Sequence, residues 1–254
     1  HEENPTTDVT GLVESLLVTR DGRYLLVGGT FIHFGYSHAE DEKHTHAGII
    51  ALDPATGTLT SWQPQQSSTT SSKRRPVFGM ANYNGNPRDV GIDADLLVFA
   101  ASGGAGGRVI AWTPGATKET PLWRGGVDGD AMGVAVTQDR VYLIGHFDYA
   151  VPDANDPCFD VIPVTCPNGT PNRHLVAWDI RGELDSKGKN TGKAVFDPSF
   201  SAQANTSEGP YTIHLGANRM YVGGNFTEVA NAPTSTGAGL AVPQPGFAVY
   251  PPLQ

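Results

Sequence analysis

The densest collection of chemically capable side chains is His33, His38, Glu40, Asp41, Glu42, His44 and His46. Imidazoles mixed with carboxylates suit zinc, copper or nickel, and on a strand His44 and His46 would share a face. His38, His44 and His46 are the candidate metal ligands, although a solvated insertion explains the same composition. His1 could chelate copper through its amine and ring if the mature chain begins there. Asp128-Gly129-Asp130 sets two carboxylates close enough for calcium, but the Asp/Asn-Gly and distal Glu of a helix-flanked calcium loop are missing. A tight turn explains that triplet better, and Asp153, Asp156 and Asp160 read as surface-loop residues.

Cys158 and Cys166 stand eight positions apart in a Pro/Asp/Asn-rich stretch. They could be a disulfide, two free thiols or half of a metal site. There is no Cys-x-x-Cys, and the nearest histidine is His174. A disulfide pinning the insertion between Phe147 and Arg173 is the favoured reading, and it implies an oxidising compartment.

Hydrolytic chemistry has little to stand on. No Gly-x-Ser-x-Gly elbow and no His-Glu-x-x-His helix occurs. Asp53, Asp179 and Asp197 could supply a glycosidase pair, but they recur at equivalent places in a repeat, which points to turn capping. No catalytic residue and no cofactor is expected. Gln65 and Gln66 precede six Ser/Thr residues and Lys73-Arg74-Arg75. That low-complexity stretch is expected to leave the surface easily, making Gln65 and Gln66 candidates for enzymatic modification, with Gln254 next.

The elements that would position these residues form a repeat. Tyr24 to Phe31, Tyr142 to Phe147 and Tyr221 to Phe226 share one pattern, with a degenerate copy at Leu96 to Gly103. Each of the first three follows a turn signal and an earlier apolar run, the mark of a hairpin. Third strands begin at Gly48, Arg108, His174 and Gly246, and short fourth strands carry Trp62, Trp123 and Phe196. Four strands per unit at a period of about 60 residues predict an all-β chain, a β-propeller of four-stranded antiparallel blades. The blades fall at about 11–64, 76–124, 130–200 and 208–250 in a single domain over 1–254. Residues 1–8 are a candidate closing strand. The four blades could close by themselves, or a missing N-terminal part could complete a larger, seven-bladed-type ring. Trp112, Trp123 and Trp178 sit in strand patterns and are expected in the core. The Gly-Gly pairs should let sheets approach closely and admit a bulge, with the following Phe filling the gap between blades.

Composition agrees. Charged residues are 17%, against about 25% in ordinary domains. Gly and Pro number 31 and 19, which excludes a long helical bundle. A net charge of −9 with one basic cluster argues against nucleic acid. No apolar run reaches the ~18 residues of a membrane span, and no leader is visible, so a mature or trimmed chain is expected.

Gly-Gly-x-Phe after an aromatic-led strand, then Ala51-Leu52-Asp53-Pro54-Ala55-Thr56-Gly57 and a Trp/Phe-x-Pro strand, resembles the secreted β-propeller repeats common in actinobacteria. The resemblance spans nearly the whole chain, and its motifs identify blades rather than chemistry. It implies a secreted, non-enzymatic protein that meets another extracellular protein, a protease being one kind. It also implies exposure to transglutaminase. The competing expectation is a carbohydrate-binding or carbohydrate-cleaving propeller with exposed aromatic platforms.

Overall fold

The computed structural model describes residues 11–31, 48–66, 75–103, 106–117, 119–152, 170–171, 174–197, 203–205, 209–217, 219–230 and 242–250. These are all-β, with antiparallel sheets of three to six strands and no α-helix among the described residues. Unit 1 holds β1 (Val13–Val18), β2 (Leu25–Gly29) and β3 (Ile49–Leu52). Unit 2 holds β4 (Val77–Asn82), β5 (Val98–Ser102), β6 (Arg108–Trp112) and β7 (Trp123–Val127). Unit 3 holds β8 (Asp130–Val136) and β9 (Arg140–His146). After β9 come β10 (Tyr149–Val151) and β11 (Thr170–Pro171), then the unit's third strand, β12 (Leu175–Asp179). The remainder is β13 (Gln203–Asn205), β14 (Gly209–Leu215), β15 (Met220–Asn225), β16 (Glu228–Ala230), β17 (Val242–Pro243) and β18 (Phe247–Tyr250). Of these, β14, β15 and β18 make unit 4.

Each unit opens with the same irregular hairpin. The register slips between Val13 and Ser15, Val77 and Gly79, Ala131 and Gly133, and Pro210 and Thr212. The partners across the slip are Gly29, Ser102, Gly145 and Gly224. A Cβ on Gly29 would lie 2.0 Å from the Leu12 carbonyl oxygen, and one on Gly145 2.0 Å from that of Asp130. In units 1, 3 and 4 a glycine therefore admits the bulge, as its place in the sequence predicts, while in unit 2 Ser102 takes the position. Gly28 does the other half of the expected work: its added Cβ would meet Val77 of the next unit at 2.7 Å.

Strand alternation sends the two faces of each sheet to different neighbours. Leu26, Ile49 and Ala51 of unit 1 pack with Val98, Ala100, Ile110 and Trp112 of unit 2. The opposite face of unit 2, with Phe99, Val109 and Ala111, packs with Val141, Leu143, Val176 and Trp178 of unit 3. Tyr142, Ile144, Leu175 and Ala177 then meet Met220, Val222, Ala248 and Tyr250 of unit 4. Phe147 and Phe226 are buried in the second and third of these joins, and Phe31 in unit 1. All four tryptophans are buried.

Two features depart from the sequence expectation. A full fourth strand exists in unit 2; in units 1 and 3 it shrinks to the bridges Leu52–Leu59 and Trp178–Phe196. In unit 1 the Gln63 side-chain amide takes both polar groups of Ala51, donating to its carbonyl at 2.8 Å and accepting from its amide at 3.0 Å. The Ala51 carbonyl also accepts from the Thr60 amide at 3.0 Å, so the side chain supplements a short backbone bridge. In addition, β10 pairs with β7 of the preceding unit and is itself paired by β11, covering an edge otherwise open. The polar insertion of unit 2 is a 3-10 turn, Pro87–Val90, capped by Asn86, with Tyr83 and Ile92 in the core.

Candidate functional site

A cleft of about 360 Å³ opens where unit 3 gathers its polar ends, lined by Asp139, Arg140, Asp179, Arg181, Val195, Phe196 and Asp197. The β8–β9 turn presents Asp139 and Arg140. Asp179 ends β12, and the 195–197 segment runs alongside through the amide of Asp179 to Val195 O and that of Asp197 to Ala177 O. Its apolar floor is Phe196, stacked on Trp178 at 4.4 Å between ring centroids.

The carboxylates here are engaged. Asp197 and Arg140 form an ion pair with both side chains mostly buried. Asp179 accepts from the Arg181 guanidinium at 3.0 and 2.6 Å and from its backbone amide at 2.8 Å. Thr137 donates its hydroxyl to Asp139 at 3.2 Å. Burial opposes the charge on Arg140, but its hydrogen bond to Tyr142 and the field of Asp197 keep its pKa above the ordinary value. Burial also pushes the Tyr142 phenol up to about 12. A carboxylate locked to a guanidinium is a poor base and holds no proton to give, so Asp179 and Asp197 do not stand as a free acid/base pair.

Of the three repeated aspartates, the structure brings Asp179 and Asp197 together and leaves Asp53 in unit 1. Asp53 caps its turn as expected, accepting from the amides of Ala55 and Thr56 at 2.8 and 3.0 Å. Asp197 is paired with Arg140, which reaches it from β9 across β12. The Asp128 carboxylate accepts from the amides of Asp148 and Tyr149, both at 2.9 Å, so its role is to fix the bend before β10. Among the described residues no group of three or more His, Cys, Asp or Glu could hold a metal ion. His1, His33, His38, His44, His46, Cys158, Cys166 and Gln254 lie outside the described residues, as do Asp153, Asp156 and Asp160.

Gln65 and Gln66 also need correcting. Their backbone is not solvated and unattached. The Gln65 amide donates to Glu119 O at 2.9 Å, and its carbonyl accepts from the Trp112 indole at 2.8 Å. The Gln66 carbonyl accepts from Arg124 at 3.3 Å, and its side chain bridges Arg75 O at 2.8 Å and the Ser102 hydroxyl at 3.2 Å. Gln66 is half-buried, and the exposed Gln65 side chain donates to Glu119 at 3.1 Å. Unit 2 offers these partners, which a sequence window cannot show.

Sequence reasoning missed His174. It is buried, has φ 65°, and is the only non-glycine with positive φ among the described residues. Its ring nitrogen Nδ1 lies 3.0 Å from Gly145 O, and its ring stacks with His146 at 6.2 Å. The signal was present: among the third-strand first residues Gly48, Arg108, His174 and Gly246, both glycines have φ near 73°.

No family model and no curated protein matches the chain. Among solved structures, a chain described as "Crystal Structure of Mitotic Checkpoint Complex" is 13% identical with a TM-score of 0.44. The match covers 92% of this chain and 53% of that one, so this chain spans about half the length of its match. That likeness lies below the level from which a shared fold follows.

Proposed function

We propose that this chain is an arc of a secreted, non-enzymatic β-propeller that presents its inter-blade loops to another extracellular protein. The observation that carries the reading is the bulged hairpin repeated four times, with each join made from one face of a sheet and the opposite face of the next. Propeller blades repeat in this way around an axis, and their loops gather on two rims. The engaged carboxylates of the unit 3 cleft support a non-enzymatic role, and the resemblance to secreted actinobacterial repeats supports the compartment and a protease as the kind of partner. No helix among the described residues is long and apolar enough to cross a membrane. The carbohydrate reading is weakened by the burial of Trp62, Trp112, Trp123 and Trp178, which leaves no tryptophan as a sugar platform.

The test is capture of secreted proteins from culture supernatant, followed by titration of the purified partner, beside a glycan array. One protein binding at micromolar Kd or better, with a blank array, is the expected result. Specific glycan binding with no protein partner overturns it. Transglutaminase modification is a subsidiary part of the proposal, with Gln65 as the exposed acceptor. Incubation with a labelled amine and mass spectrometry checks it, and labelling at Gln63 or Gln138 alone refutes it.

A further inference from the structure

We propose that Asn84 is a site of spontaneous covalent modification: its side chain closes onto the Gly85 amide, loses ammonia and reopens mainly as isoaspartate, steered by Arg20. Asn-Gly occurs twice in the chain, at Asn84-Gly85 and Asn168-Gly169, and the second pair lies outside the described residues. Ring closure needs an unengaged amide nitrogen, an unengaged asparagine side chain and no Cβ in the way. Asn84 is exposed and stands outside any strand, between β4 and the 3-10 turn. Among the described residues, neither its side chain nor the Gly85 amide makes a hydrogen bond. Glycine is enforced at position 85. A Cβ there would lie 2.5 Å from the hydroxyl of Tyr83, which is buried and fixed by donating to Gln138 O at 3.0 Å. The neighbouring asparagines are engaged. Asn82 donates to Val18 O at 2.9 Å, and Asn190 donates to Arg181 O and accepts from the Gly192 amide at 2.7 Å. Asn86 accepts from the Arg88 amide at 3.2 Å and precedes Pro87, which has no N–H to attack with.

The chemistry needs only water. The Gly85 nitrogen passes its proton through solvent to Nδ2 and bonds Cγ of Asn84, while the Cγ–Nδ2 bond breaks and ammonia leaves. Water then adds to one of the two carbonyl carbons of the five-membered imide. Attack at Cγ restores the main chain with an aspartate. Attack at the main-chain carbonyl carbon of residue 84 breaks that carbon's bond to nitrogen and frees it as a carboxylate, with Gly85 left attached through Cγ. Arg20 reaches across from unit 1 and donates from one guanidinium nitrogen to Asn84 O at 2.7 Å and to Gly85 O at 2.5 Å. It therefore polarises the carbonyl that isoaspartate formation consumes and pairs with the carboxylate that results. The product adds one negative charge to a chain at −9 and turns a neutral tie between units 1 and 2 into an ionic one.

The full chain, aged at pH 8 and 37 °C and mapped by mass spectrometry, should convert Asn84 at least ~10-fold faster than Asn82, Asn86 or Asn190, which hydrogen bonds or a following proline hold back. Counting the isomer with an isoaspartyl methyltransferase should give a higher isoaspartate-to-aspartate ratio in the folded chain than in the same chain aged in urea. Arg20 is exposed, so Arg20→Met should keep the parent's circular dichroism while bringing the folded ratio down to the urea value. An Asn84 that reacts in urea but stays intact in the folded chain overturns the proposal, as does equal conversion at all four asparagines. A folded ratio unchanged by Arg20→Met overturns the steering by Arg20.

Discussion

The join between units 1 and 2 and the join between units 3 and 4 share one register, and two of the positions at which their side chains differ are informative. Leu26 in the first stands where Tyr142 stands in the third, and Gly48 stands where His174 stands. Around Gly48 the next unit comes so close that a Cβ would lie 2.2 Å from Arg75 O. Around His174 the facing residue is Gly209, whose lack of a side chain leaves room for the imidazole. These two joins share the apolar register and the left-handed backbone, whereas Arg108 at the same place in unit 2 has no positive φ. They let polarity enter only where the opposite strand gives way. A non-glycine held at positive φ carries strain of about 1–3 kcal/mol, so His174 is a cost that its surroundings offset.

If the two joins are equivalent cores, truncating one side chain in each should hurt equally. Leu26 and Ile144 are both fully buried and both face the next unit. Leu26→Ala and Ile144→Ala should each destabilise by about 3 kcal/mol through lost burial and a residual cavity. Urea melts give the two values. A difference above ~2 kcal/mol would mean that one join contributes little, and the equivalence fails.

The third join should break first in alkali. Burial raises the Tyr142 pKa to about 12, against about 10 in an unfolded chain. A group whose folded pKa is raised contributes stability that is complete below pH 10 and fades as pH rises through 12. At about 1.4 kcal/mol per unit, the loss reaches on the order of 2–3 kcal/mol. Tyr250, in the same join, is pushed up by burial as well. Substituting the first of these residues, Tyr142→Leu, should remove about 2–3 kcal/mol of the loss in urea melts at pH 9 and 12, leaving the share of Tyr250. A limb of unchanged size would show that Tyr142 ionises without disturbing the join.

Gly48→Ala and His174→Gly test the left-handed position from both sides. At Gly48, φ of 73° and the approach of Arg75 O make any side chain costly, about 2 kcal/mol or more. At His174, glycine relieves backbone strain but forfeits the imidazole packing and adds chain entropy, so the net change should stay within about 1 kcal/mol. Thermal melts of both variants decide. Equal losses would show that the imidazole matters as much as the backbone.

The repeat was legible because alternation and turn residues are local, and the bulge glycines announced themselves for the same reason. Tryptophan burial followed from strand patterning. What stayed hidden was assembled from distance. Gln63 pairing with Ala51, Arg140 reaching Asp197, and the ties of Gln65 and Gln66 to Trp112, Glu119 and Arg124 all join residues far apart in sequence or on different strands. Low complexity after Gln66 suggested looseness, yet looseness depends on what the neighbouring strand offers. His174 was missed although its two glycine counterparts were in view, because a repeat draws attention to what recurs and the departure carries the information.

The smallest expected effect separates the turns that follow the third strands of units 1 and 3. Asp53 is held by the amides of Ala55 and Thr56, which keep its carboxyl below the usual aspartate range. Asp179 is held mainly by the Arg181 side chain on an exposed surface. Salt screens a guanidinium–carboxylate pair in solvent but hardly touches a carboxylate seated on two amides. Raising sodium chloride to about 1 M should therefore erase the stability difference between Asp179→Asn and the parent chain while leaving that of Asp53→Asn in place. The acid side reads the same contrast with a definite sign. A lowered folded pKa contributes stability that is present above about pH 4 and lost as pH falls through the folded value. Asp53→Asn should thus differ from the parent at pH 7 and converge with it near pH 2, in urea melts paired with a carbon-13 titration of the Asp53 carboxyl. If the Asp53 difference also vanishes in salt, its carboxylate is held by long-range charge rather than by the two amides, and the two turns are not the distinct devices their hydrogen bonds indicate.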